Sequence, residues 1–142
     1  MILVDANLLL YAYDTSTPQH EKAQHWWEQQ LSNPAPVRLA WVTVLAFIRI
    51  GTNSKIFSKP LSIEEACATV VTWFQCPMLA ILNPGERHWD ILANLLQHTQ
   101  AAGNLVMDAH LAALAIEHGA MLYSTDYDFS RFQGLNWQNP LI

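Results

Sequence analysis

Met1-Ile-Leu-Val-Asp5-Ala-Asn7 decides how this chain is read. Ile2, Leu3 and Val4 form an apolar run with no polar alternation, the pattern of a strand buried on both faces, as in a parallel sheet. The run ends on a carboxylate. Open α/β sheets bind ligands beyond the carboxyl ends of their strands, so Asp5 stands where such a protein places its chemistry. Taken alone, Asp5 serves equally well as the N-cap of a following helix.

Outward from this stretch, strands and helices alternate. Asn7 to Tyr13 reads as a short buried helix. Thr17 and Pro18 form an N-cap and N1 pair for a second helix to about Leu31, with Ala23, Trp26, Trp27 and Leu31 inward. Asn33-Pro-Ala-Pro36 breaks it, and Val37 to Ala40 is a strand. Trp41 to Ile50, apolar except at Thr43 and Arg49, reads as a buried helix ending near Gly51. Ser62-Ile-Glu-Glu65 is a capping box opening a helix with Ala66, Val70, Trp73 and Phe74 inward. Pro77 ends that helix before a strand over Met78 to Leu82. Asn83-Pro-Gly-Glu86 reads as a second capping box, followed by a helix with Trp89, Leu92, Leu95 and Leu96 at helical spacing. Val106 to His118 is apolar nearly all round, hence buried between other elements, and Gly119 closes it in a C′ role. Met121 to Tyr123 is a fourth strand, and a short one follows near Leu135 to Trp137. The alternation predicts an α/β fold over residues 1–142 as a single domain, a mainly parallel central sheet of about five strands flanked by helices.

Composition excludes several classes. The 142 residues are 51% hydrophobic and 13% charged, which fits a packed domain rather than disorder. No apolar run approaches the roughly 18–20 residues that span a bilayer, and the N-terminus lacks the basic region of a signal peptide, so a cytoplasmic protein with no membrane contact is expected. Cys67 and Cys76 match no disulfide or zinc spacing and read as buried free thiols of a reducing compartment. A net charge of −5 argues against nucleic-acid binding by bulk electrostatics alone. The charge is nevertheless segregated: Arg38, Arg49, Lys55 and Lys59 lie between Gln29 and Ile63, a stretch without acids. This is either a local basic face or chance clustering on a solvated surface.

Three acidic positions share a structural logic. Asp5 ends the first strand, Asp126 the fourth, with Asp128 two residues on, and Asp108 lies near the start of the buried helix that leads into the fourth strand. Each has a plainer role, Asp108 as a dipole partner and Asp126 and Asp128 as turn formers, but their coincidence at equivalent places points to one pocket. Converging carboxylates repel, and a hard divalent ion, Mg²⁺ or Mn²⁺, resolves the conflict. Asn7 either hydrogen-bonds this cluster or caps. Other chemistries are weaker: the six His show no ligand spacing, His110 faces away from Asp108, and no Gly-x-Ser-x-Gly or Gly-rich phosphate loop is present. The Trp residues mostly fall on core faces, so base stacking is the minor reading of them.

The residues Val4-Asp-Ala-Asn-Leu-Leu-Leu-Tyr-Ala12, Asp108-Ala-His-Leu-Ala-Ala-Leu-Ala-Ile-Glu-His-Gly-Ala-Met-Leu122 and Ser124-Thr-Asp-Tyr-Asp-Phe129 resemble the signature blocks of PIN domains, more closely those of VapC-type ribonuclease toxins. The resemblance spans essentially the whole chain. It implies a PIN-like fold, an Mg²⁺-dependent endoribonuclease that is the toxin of a toxin–antitoxin module, a VapB-like antitoxin partner and a homodimer. It carries over Asp5, Asp108 and Asp126 as metal and catalytic residues, with Asp128 and Ser124 as auxiliaries alongside Asn7. In one respect the chain departs from the pattern: Leu45-Ala-Phe-Ile48 puts Phe47 where the family commonly has a Glu. Arg49 and Lys55 are the expected contacts to RNA or antitoxin. Phe47 keeps a second reading open, a catalytically silent PIN-like module that binds RNA or a partner. A phosphate-metabolising enzyme with Asp5 as nucleophile is the third, although such enzymes want an acid at the place of Asn7.

Overall fold

The computed structural model describes residues 1–142. At its centre is β1 (Ile2–Val4), between β2 (Val37–Leu39) and β4 (Met121–Tyr123), with β3 (Leu79–Ile81) and β5 (Trp137–Gln138) at the edges. All four pairings are parallel, and the order β3-β2-β1-β4-β5 makes β1 and β4 the pair at which the direction of sheet growth reverses. The expected mainly parallel five-stranded sheet is thus wholly parallel. In register, Val4 pairs with Tyr123, so Asp5 and Ser124 emerge side by side at the carboxyl end.

Alternate strand residues feed two cores. Leu3 and Leu122 pack on one face with the alanines of α6 (Asn104–His118) and with Leu95 of α5 (His88–Thr99). Val4, Val37 and Leu39 pack on the other with α1 (Ala6–Tyr13), α2 (His20–Ser32), α3 (Trp41–Gly51) and α4 (Ile63–Phe74). There Trp27, Phe47 and Trp73 are buried, with ring centroids 4.7 Å apart for Phe47–Trp73 and 5.9 Å for Trp27–Trp73. No helix is long and apolar enough to cross a membrane.

Several local expectations are corrected. Thr17 and Pro18 lie in turns ahead of α2, which starts at His20 without a side-chain cap, because Thr17 Oγ1 instead bonds the Gln19 side chain. The Ser62–Glu65 capping box forms as expected. The Asn83–Glu86 box does not. α5 begins at His88, and the preceding loop is held from outside: Glu117, in the last turn of α6, accepts from Gly85 N (2.8 Å) and Arg87 N (3.0 Å), while Arg87 donates to Glu117 O and His118 Nε2 lies 2.9 Å from Asn83 O. A Cβ at Gly85 would sit 2.5 Å from Glu117 Oε2, so glycine is what permits this approach. Gly119 has φ +66°, the left-handed C-terminal geometry that its position predicts. Trp41, Leu45, Phe74 and Trp89 point outward instead of into the core, and Cys67 is exposed. β5 starts at Trp137, later than expected, since Phe132 and Leu135 are used by a turn.

Two backbone N–H bonds hold the Glu117 carboxyl below the usual range, with smaller help from His118 and His88. A depressed carboxyl stabilises the fold above its unfolded pKa and loses that contribution as pH falls. Glu117→Gln is therefore expected to lower the melting temperature by about 3–6 °C at pH 7. The deficit should close as both proteins are acidified toward pH 3, and a pH-independent deficit would show that the carboxylate charge is not what matters.

Candidate active site

Asp5 does two things at once. Its Oδ1 accepts from Ala6 N (2.8 Å) and caps α1, and its Oδ2 accepts from Ser124 Oγ at 2.7 Å. Asp5 therefore caps α1 with one oxygen and is tied to the end of β4 with the other. Ser124, fully buried at the end of β4, is the junction of the site: its Oγ also accepts from Asp126 N (3.0 Å) and from Asn7 Nδ2 (3.2 Å). Asn7 thus reaches the cluster instead of capping, and its Oδ1 is buried with no partner. Asp126 caps the short 3-10 turn Tyr127–Arg131 by accepting from Asp128 N. The turn-forming role of Asp126 is real, and it aims the pair at the same edge.

One carboxylate oxygen from each of Asp108, Asp126 and Asp128 lies within 4.8 Å of the other two. Asp5 is outside that close set yet near enough to act on Asp108 and Asp126 electrostatically. Burial raises the Asp108 carboxyl to about 6, with the charges of Asp126, Asp5 and Asp128 adding to it. Burial also raises Asp5, against the Ser124 and Ala6 bonds that lower it. Oxygens opposite one another on a small divalent ion, each at about 2.1 Å, stand about 4.2 Å apart. The spacing, the all-oxygen donor set and the unpartnered Asn7 Oδ1 beside it fit such an ion or its waters.

A cavity of about 460 Å³ adjoins Asp5 and Asp108. Its walls are Leu10 of α1, Val42, Ala46 and Ile50 of α3, and Met107 and Leu111 of α6, with Arg49 as the one cation. Arg49 thus lies at the site. Lys55 is exposed in the turn after α3, and Arg38 is directed away, donating to Val37 O and Met78 O at the amino ends of the strands. A single basic face over residues 38–59 does not form. Phe47 does not enter the pocket either. It is fully buried against Trp73 and Tyr13, and the α3 positions that face the cavity include Thr43 and Ala46, neither acidic. His110 pairs with His88 (Nδ1 to Nε2, 3.0 Å), away from the carboxylates as expected. That pairing and the Glu117 clamp escaped sequence reading, because each joins residues about 20–30 apart with no local pattern.

Clustered carboxylates at the reversal point of a parallel α/β sheet define the class of protein. The PIN domain model matches residues 2–135. Ribonuclease VapC37 of Mycobacterium tuberculosis is 45% identical over 140 residues, covering 99% of this chain and 97% of that protein. Ribonuclease VapC33 of the same organism is 39% identical over 141 residues, covering 99% of each. VapBC-1 from nontypeable Haemophilus influenzae superposes with a TM-score of 0.70 at 20% identity over the full length of both chains, a likeness of fold. The chain belongs to the PIN-domain family, among its VapC members.

Two outcomes are expected from the electrostatics. A carboxyl raised above its unfolded value costs stability as pH climbs through about 6, because the unfolded chain gives up the proton more easily. In the presence of chelator, Asp108→Asn should melt a few degrees above wild type at pH 8 and equal it near pH 4; a lower melting temperature at pH 8 would contradict a strained Asp108. Phe47→Glu should not supply a ligand. It places a carboxylate among Trp73 and Tyr13 and should cost at least about 3 kcal/mol in denaturant unfolding, whereas an undiminished midpoint with tighter Mn²⁺ binding would put residue 47 at the site.

Proposed function

We propose that this chain is a divalent-metal-dependent endoribonuclease and the toxin of a toxin–antitoxin pair. The observation that carries the reading is the convergence of Asp5, Asp108, Asp126 and Asp128 at the β1/β4 reversal. The relatives named ribonucleases support it. Mg²⁺, or Mn²⁺ in its place, is the proposed ion, held by Asp5, Asp108 and Asp126 with Asp128 as auxiliary. Bound there, such an ion polarises a phosphoryl oxygen and lowers the pKa of a coordinated water.

The chain's own residues prepare that pocket. Ser124 keeps Asp5 Oδ2 turned to the site and fixes the Asp126 backbone with the same hydroxyl. Asn7 holds Ser124 in place. Arg49, on the cavity wall, neutralises an RNA phosphate, a contact that positions and does not specify. Water adds to phosphorus as a bridging P–O bond breaks, and the departing oxygen is protonated. Because Asp108 holds its proton up to about pH 6, ion binding should weaken below that pH.

A VapB-like antitoxin is the proposed partner, supported by the solved VapBC assemblies that share this fold. A homodimer and a cytoplasmic location belong to the same reading. The competing reading, a silent RNA- or partner-binding module, is favoured by the lack of an acid on the α3 wall.

RNA cleavage separates the two. Wild type should cleave RNA with Mg²⁺ or Mn²⁺ and stop when EDTA is added, and Asp5→Asn and Asp108→Asn, matched for folding by circular dichroism, should lose about 100-fold or more. Equal cleavage by either variant would remove the site assignment. RNA binding by wild type without cleavage under any metal would favour the silent module.

A further inference from the structure

The backbone of Ser124 is held from the edge of the sheet. β5 is only two residues long and pairs with β4 alone, Trp137 opposite Leu122 and Gln138 opposite Tyr123. Past the end of that pairing, Ser124 N donates to Gln138 O (3.1 Å) and Trp137 Nε1 donates to Ser124 O (3.1 Å). Both polar groups of the Ser124 backbone thus go to β5, while its hydroxyl serves Asp5 Oδ2, Asp126 N and Asn7 Nδ2. The same indole meets the ring of Tyr127 edge-on at 5.3 Å. Trp137 therefore touches the acidic loop on either side of Asp126, before it at Ser124 O and after it at Tyr127. Packing alone does not require this residue type. Trp137 is half-buried against the apolar cluster around α6, a place that another apolar ring would also fill, whereas indole adds a donor and no acceptor.

We infer that Trp137 is a positioning residue of the carboxylate site: its indole N–H fixes the Ser124 peptide, and thereby the hydroxyl bonds that place Asp5 and Asp126 for a divalent ion. The inference rests on the metal reading of the site and extends it to the edge strand. Ser124 is fully buried, so its carbonyl, deprived of the indole, is left unpaired. It regains a partner only by rotation of the peptide between Ser124 and Thr125, and that rotation draws Asp126 N away from the Ser124 hydroxyl. The hydroxyl is then free to turn, and Asp5 Oδ2 loses its fixed donor. Metal sites whose ligands are oriented by outer hydrogen bonds lose affinity when those bonds are cut. The chain of bonds from Trp137 through Ser124 to Asp5 joins β5 to β1 across β4, so the site depends on a residue that stands two strands away from the first carboxylate.

The experiment titrates the full chain with Mn²⁺ at pH 8 and reads the free ion by electron paramagnetic resonance, with thermal melting measured alongside. Trp137→Phe keeps an apolar ring and removes the N–H, and should weaken Mn²⁺ binding about 10-fold. Leu92→Ala, on α5 and packed on the same apolar cluster, serves as the packing control: it should lower the melting temperature at least as far and leave Mn²⁺ binding as in wild type. In a Ser124→Ala background, where the hydroxyl is already absent, Trp137→Phe should change Mn²⁺ binding by less than about 2-fold. Mn²⁺ bound equally by wild type and Trp137→Phe overturns the role of Trp137 and leaves the metal site standing. Weakening by Leu92→Ala to the same degree assigns the effect to general loss of stability and overturns it too, as does a full 10-fold effect of Trp137→Phe in the Ser124→Ala background. Failure of wild type to bind Mn²⁺ overturns both the metal reading and the role of Trp137.

Discussion

Four carboxylates meeting at one sheet edge repel one another, and the rest of the molecule is arranged around that repulsion. The compensation is unequal. Asp5 receives two donors, Ala6 N and Ser124 Oγ, and Asp126 is fixed through its backbone by the same Ser124 hydroxyl. Asp108 receives no donor that lowers its pKa, only burial and three like charges, and its carboxyl is pushed up to about 6. Burial leaves Asp5 raised as well despite its two donors, so both buried carboxylates carry an unresolved electrostatic cost. Three like charges converge on Asp108, so its protonation state and the stability of the fold are linked.

The architecture explains how α6 delivers Asp108. Ala109, Ala112 and Ala113 are fully buried, and side chains this small let a helix lie close on the sheet. The three-residue strands Ile2–Val4 and Met121–Tyr123 are just long enough to present Asp5 and Ser124 together at their ends. At the far end of α6, Glu117 and His118 hold the loop before α5. One helix therefore carries a site residue near its start and a structural clamp in its last turn. The clamp uses its charge productively, in contrast to Asp108, because backbone N–H groups compensate it.

What could be read from the sequence follows from which forces are local. The unbroken apolar triplets at Ile2–Val4 and Met121–Tyr123 foretell a parallel sheet, and the Asp beyond each lies at the carboxyl edge of that sheet, because burial on both faces leaves an apolar run that can be read directly. The Ser62 capping box is equally local and forms as read. The Asn83–Glu86 sequence has the same grammar but fails: α5 starts only at His88, and Glu117, distant in sequence, holds the intervening loop by accepting from Gly85 N and Arg87 N. Sequence also overstates the burial of α3 and of Trp89. An apolar residue on a helix declares a preference, not a neighbour, and whether Trp41 or Trp89 finds a core depends on elements whose placement no local pattern encodes. The grouping at the site differs in one detail for a similar reason. Asp128, taken as the marginal member, lies with Asp108 and Asp126 because the 3-10 turn capped by Asp126 folds it back.

Phe47 shows why a motif position and a spatial position must be kept apart. On α3, Val44 and Phe47 face the aromatic core, while Thr43, Ala46 and Ile50 face the cavity. The two faces are separated by only one or two residues in sequence, so a residue read as replacing a ligand sits instead against Trp73. The pocket is not blocked by a phenyl ring. It is bounded on that side by Thr43 and Ala46, which leave volume where an acid would place charge. With no negative group on that wall and Arg49 at its edge, the α3 side of the cavity repels an anion least, and the carboxylate side repels it most until a cation is present.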